Sequence, residues 1–74
     1  MPTFRAALWE RPYCLDAWTL VNVYPAVEAI EQAYRRRGES LTPGRRAQHL
    51  VRLRQAKELR LFEGRSRLVP LAKD

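Results

Sequence analysis

Ser40-Leu41-Thr42-Pro43-Gly44-Arg45-Arg46-Ala47-Gln48-His49-Leu50-Val51-Arg52-Leu53-Arg54-Gln55-Ala56-Lys57 runs directly into Glu58-Leu59-Arg60-Leu61-Phe62-Glu63-Gly64-Arg65-Ser66-Arg67-Leu68-Val69-Pro70-Leu71. Thr42 is placed to cap a helix, and Pro43 fits its first position because the missing N–H is not needed there. Ala47, Leu50, Leu53 and, at the margin, Val51 recur at helical spacing and predict an inner face. Arg45, Gln48, His49, Arg52 and Gln55 are then read as the outward side. The helix is expected over 42–58. Alternation of Leu59, Leu61, Leu68 and Val69 with charged residues predicts a hairpin over 59–71. Gly64-Arg65 suits a two-residue type II′ turn, in which Leu61 would oppose Leu68 and Phe62 would oppose Arg67. Pro70 confines its strand to an edge or ends it.

Upstream, Pro25 starts a second helix whose Val27, Ile30, Ala33 and Tyr34 share a face. Glu28 and Glu31 complement the positive end of its dipole and Arg35, Arg36 and Arg37 the negative end, with Gly38 as the stop. Asp16 is a candidate N-cap for a helix over Ala17–Tyr24, giving a helical region over 16–37. The β-branched Thr19, Val21 and Val23 make a strand the alternative. Residues 1–13 read as an arm, a strand or a first helical turn, broken by Pro12. Trp9, Tyr13, Trp18 and Tyr24 are expected in the core, with an exposed aromatic patch as the rival.

The chain has 74 residues, enough for one domain that buries roughly 60% of its unfolded surface. The apolar fraction of 46% supports one core and argues against extensive disorder. Of the net charge of +6, residues 1–24 contribute nothing. Residues 35–67 hold eleven basic against three acidic side chains. Positive charge so concentrated points to a polyanion, a phosphate backbone above all. Arg outnumbers Lys twelve to two, which suits forked contacts to phosphate and guanine or else reflects a genome rich in G·C.

Cys14 and His49 are each single, so no metal site and no intrachain disulfide is expected. No Ser–His–acid set, phosphate loop or paired carboxylates recommends an enzyme, and no cofactor is implied. No apolar run reaches the ~18 residues of a membrane span, and a cytoplasmic protein is expected.

A basic helix followed by a basic ribbon predicts an α+β fold of the winged helix-turn-helix type: two or three helices, then a C-terminal β-hairpin. The helix would enter a major groove and the ribbon would hold backbone. From Leu41 onward the chain resembles ArsR-type repressors. Leu41-Thr42 stands at the cap, His49-Leu50-Val51-Arg52-Leu53-Arg54-Gln55-Ala56 matches the recognition helix, and Glu63-Gly64-Arg65 matches the wing tip. Lys57-Glu58 replaces the family's helix-ending Gly, the preceding helix is longer, and no metal-sensing Cys pair is present. The reading implies sequence-specific double-stranded DNA binding by a small transcriptional regulator or a phage or plasmid accessory protein. The expected contacts are Thr42, Arg45, Arg46, Gln48, His49 and Arg52 on the helix, with Arg60, Arg65 and Arg67 on the wing. A homodimer is expected, because small DNA-binding domains read paired half-sites. The alternatives are a phage-type inhibitor docking an acidic protein surface and an RNA- or ribosome-associated protein.

Overall fold

The computed structural model describes residues 4–12 and 16–71. The elements are β1 (Arg5–Glu10), β2 (Thr19–Pro25), α1 (Ala26–Arg37), α2 (Pro43–Gln55), β3 (Leu59–Leu61) and β4 (Ser66–Pro70). All strand pairs are antiparallel, and the sheet order is β2-β1-β4-β3. The fold is α+β, but it is not the expected winged helix-turn-helix. A hairpin precedes two helices and another follows them, and the last strand joins the first rather than standing apart as a wing.

Of the helical region expected over 16–37, only the second helix forms, starting at Ala26, and the helix expected over Ala17–Tyr24 is replaced by a strand. Thr19, Val21 and Val23 settle the segment before it as strand, since β-branched side chains lose little in an extended backbone. Asp16 caps nothing there; it pairs with Arg11 at 3.1 Å. Pro25 ends the strand and serves as the N-cap residue of α1. Of the readings for the N-terminal segment, strand holds for Arg5–Glu10.

Alternation along β1 sends Ala6 and Leu8 toward the helices and Ala7 and Trp9 to the opposite face. Leu8, Ile30, Leu53 and Leu68 are fully buried and form the centre of the core. Ala26, Ala29 and Ala33 on α1 let that helix lie close to the sheet. Val27, expected on the buried face, is 39% exposed, because the true inner stripe is one position earlier. A register shift in the pairing of β1 with β2, between Leu8 and Trp9, leaves Val21 without a partner and packs it against the core.

β2 is an edge strand, and side chains occupy part of its backbone. Asn22 Oδ1 accepts from Val23 N–H at 2.8 Å, and Arg5 donates to the Val23 carbonyl at 3.4 Å. A foreign strand therefore meets no free hydrogen-bonding groups at Val23.

The hairpin of β3 and β4 departs from its expected register by two residues. Leu59 opposes Leu68, Arg60 opposes Arg67, and Leu61 opposes Ser66. A slip of two preserves the inner and outer faces, so the leucines still reach the core. The turn is longer than two residues: Phe62, Glu63 and Gly64 have φ of 56°, 56° and 81°. Left-handed backbone at Phe62 costs roughly 1–2 kcal/mol. Its ring is seated edge-on against Tyr34 at 5.0 Å, which offsets that cost. Arg11 fastens the turn, its Nε donating to the Gly64 carbonyl and its N–H to the Arg65 carbonyl, both at 3.0 Å.

Gly38 ends α1 as expected, at φ 67°. Its N–H donates to the Arg35 carbonyl, and that of Glu39 to the Tyr34 carbonyl, which is the Schellman arrangement. Nothing lies within 4 Å of a Cβ added at Gly38, so Gly38→Ala isolates the backbone cost. Urea unfolding should show a loss of about 1 kcal/mol. Glu63→Gly should move the other way by about 0.5–1 kcal/mol, because Gly adopts its φ freely. An unchanged midpoint for both would refute the left-handed assignments.

Candidate nucleic-acid interface

From Ser40 to Lys57 the chain carries five basic side chains and no acidic one. Thr42 caps α2 as expected: its hydroxyl oxygen accepts from Arg45 N–H at 3.1 Å. The helix packs on α1, β3 and β4. Leu53 is its only fully buried residue, with Arg46, His49 and Leu50 half-buried around it. At about 100° per residue, the direction opposite Leu53 is taken by Gly44, Ala47, Gln48, Val51 and Gln55. All five are exposed, Val51 by 54%. This outward strip has no charge. Arg45 and Arg52 border it on one side and Arg54 on the other.

The inner and outer faces of α2 are therefore rotated from those expected. Ala47 and Val51 look outward instead of into the core, and His49 turns inward. The hydroxyl of Tyr34 and Nε2 of His49 share a hydrogen bond of 2.7 Å. Nδ1 is buried without a partner. Burial, and then the positive charges of Arg45 and Arg52, hold the imidazole below its usual pKa of 6.5. His49 is thus neutral at pH 7 and braces α2 against α1. Arg46 is also withdrawn, its Nη1 donating to Glu31 Oε2 on α1 at 2.7 Å.

Arg60 and Arg67, expected as wing contacts, stand on the sheet face that bears no helix. Glu58 accepts from Arg60 at 2.8 Å and from Arg67 at 3.2 Å. Those hydrogen bonds, the one from Arg60 foremost, hold the Glu58 carboxyl below its usual range. The Arg67 guanidinium lies 5.5 Å from the Trp9 ring and 4.7 Å from that of Trp18, and Arg11 also approaches Trp18 at 4.7 Å. Each such ring contact is worth about 0.5–1 kcal/mol. A phosphate would have to draw Arg67 away from two of them, whereas Arg45 and Arg52 have nothing comparable to give up. Trp9 and Trp18 are thus half-buried in a cation–π layer on the outer face, and among the described aromatics expected in the core Tyr24 is the one that packs against it.

Arg65 is half-buried within the hairpin turn. In the arginine run that ends α1, Arg36 grips Glu10 with two bonds of 2.8 and 2.9 Å, and Arg37 lies over the Phe62 ring at 5.4 Å. Of the nine expected contacts, the structure brings together Thr42, Arg45, Gln48 and Arg52 along α2. Arg46 and His49 face α1, while Arg60, Arg65 and Arg67 belong to the hairpin. Ala47, Val51 and Arg54 are further surface residues of this helix, outside the expected contacts. A helical projection centred on Leu53 alone, rather than on the Ala47-Leu50-Leu53 row, finds all three.

No group of three His, Cys, Asp or Glu side chains among the described residues could hold a metal ion. No helix among them is long and apolar enough to cross a membrane. Cys14 and Tyr13 lie outside the described residues. Comparisons with protein families, curated proteins and solved structures find no match.

Because His49 titrates lower when folded, the unfolded chain binds more protons just below pH 6.5. The stability contributed by the neutral imidazole is complete above that pH and is lost as pH falls through it. Unfolding free energies should therefore drop between pH 7 and pH 5, and less steeply in His49→Gln, which cannot titrate. Equal slopes in the two proteins would contradict the buried, neutral assignment.

Proposed function

We propose that this protein binds double-stranded DNA by laying α2 in the major groove. The supporting observation is the uncharged strip of α2 flanked on both sides by arginines. With side chains, a helix is about 10–12 Å across and the groove is about 12 Å wide. The strip would face the base edges, while Arg45 and Arg52 would reach one phosphate rim and Arg54, which lies over the Phe4 ring at 5.0 Å, would have to give up one ring contact to reach the other. None of these three has a carboxylate partner among the described residues. The contacts are rearranged relative to a winged-helix reading, since arginines border the reading surface and the hairpin takes no part.

Groove shape separates DNA from RNA. The major groove of an A-form duplex is too deep and narrow for a helix, so duplex RNA would gain only general attraction to positive charge. An acidic protein surface would also attract Arg45 and Arg52, but it supplies no second rim for Arg54.

Fluorescence anisotropy with a mixed-sequence DNA duplex and the matching RNA duplex, titrated with salt, tests the reading. DNA should bind more tightly. Arg45→Ala and Arg52→Ala should each flatten the plot of log affinity against log salt by about one unit, and Arg60→Ala should leave it unchanged. Equal affinity for the RNA duplex, or slopes that respond to Arg60 rather than to Arg45 and Arg52, would overturn it.

A further inference from the structure

Resting on the groove reading of α2, we infer that the strip is selective for A·T base pairs, with Gln48 and Gln55 reading adenine and Val51 meeting a thymine methyl. The chemistry of the strip carries this. In the major groove, adenine offers an N7 acceptor beside an N6 donor, and a side-chain amide matches both at once. Thymine presents the C5-methyl group, which an apolar side chain covers. Guanine is read by Arg or Lys and cytosine by Asp or Glu. The strip holds Gly44, Ala47, Gln48, Val51 and Gln55, so it has two amides and two apolar groups and none of those four residue types. The flanking arginines, Arg45 and Arg52 on one side and Arg54 on the other, border it rather than belong to it.

The spacing is also suitable. Gln48 and Gln55 are seven residues apart, a rise of about 10.5 Å along the helix, which is close to three base-pair steps of ~3.4 Å. Val51 falls between them. Its 54% exposure leaves a branched apolar side chain in water that a thymine methyl would cover. Gly44, at the start of the strip, has open space around the position a Cβ would take, so the helix end can approach the floor of the groove closely.

The test is anisotropy with the full chain and three labelled alternating duplexes: poly(dA-dT), poly(dG-dC) and poly(dI-dC). Inosine keeps the major-groove edge of guanine but lacks its minor-groove amino group. The A·T duplex should bind at least roughly tenfold more tightly than the other two, which should resemble each other. Gln48→Ala and Gln55→Ala should each remove most of that ratio while leaving the salt dependence intact. Equal binding of all three duplexes, with the salt slopes of Arg45→Ala and Arg52→Ala still reduced, would sink the inference and spare the groove reading. Binding of poly(dI-dC) at the level of poly(dA-dT) would also sink it, by pointing to the minor groove. Failure to bind any duplex would remove the groove reading itself.

Discussion

Leu8 and Leu68 face one another at the middle of the sheet, where β1 meets β4. This pairing joins segments from nearly opposite ends of the chain, and each other element leans on it. Within the sheet, β2 pairs only with β1 and β3 only with β4. α1 rests on β1 and β4 and α2 on β4 and β3, over a core to which Ala6, Leu8 and Leu68 belong. Bringing such distant segments together costs loop-closure entropy before any contact rewards it. The burial of Leu8, Ile30, Leu53 and Leu68, each worth about 1.5–3 kcal/mol, has to offset that cost in a chain with little other core.

The central pairing divides the surface into two sides, and the arginines divide with it. On the sheet side, Arg11, Arg60 and Arg67 lie against Trp9 and Trp18 and are tied to Asp16 and Glu58. They replace the second packing layer that the sheet otherwise lacks. On the helix side, Arg36 and Arg46 use Glu10 and Glu31 to fix α1 to β1 and α2 to α1. What remains without a carboxylate on α2 is Arg45, Arg52 and Arg54. A net charge of +6 thus understates the asymmetry, because four of the eight acidic residues, Glu10, Asp16, Glu31 and Glu58, are spent on the structural arginines. The same side-chain chemistry serves for packing on one face, while on the other Arg45 and Arg52 stay available for phosphate and Arg54 lies over the Phe4 ring at 5.0 Å.

Both helices were legible from their ends. Thr42-Pro43 and Gly38 carry conformational requirements that tertiary context rarely overrides. The alternation of Leu59-Arg60-Leu61 likewise assigned the correct faces, even though the register was displaced by two. The strand at Thr19–Pro25 was harder to see, because Trp18, Leu20, Val21 and Tyr24 mimic helical spacing while the register shift in its pairing breaks its period of two. The union of β1 with β4 leaves no local trace in sequence, so the hairpin looked like a free wing. His49 illustrates the limit at the candidate site. As a single histidine in an arginine-rich helix it reads as outward, and only the position of Tyr34 on α1 reveals that it turns inward.

Nuclear magnetic resonance chemical-shift mapping during titration with a short DNA duplex tests the central claim most directly, since the two faces carry distinguishable probes. The account predicts shifts in the amides from Gly44 to Gln55 and in the side-chain amides of Gln48 and Gln55, with the indole N–H signals of Trp9 and Trp18 unmoved. Movement of the indole signals with α2 unperturbed would place the interface on the opposite side of the sheet and contradict it.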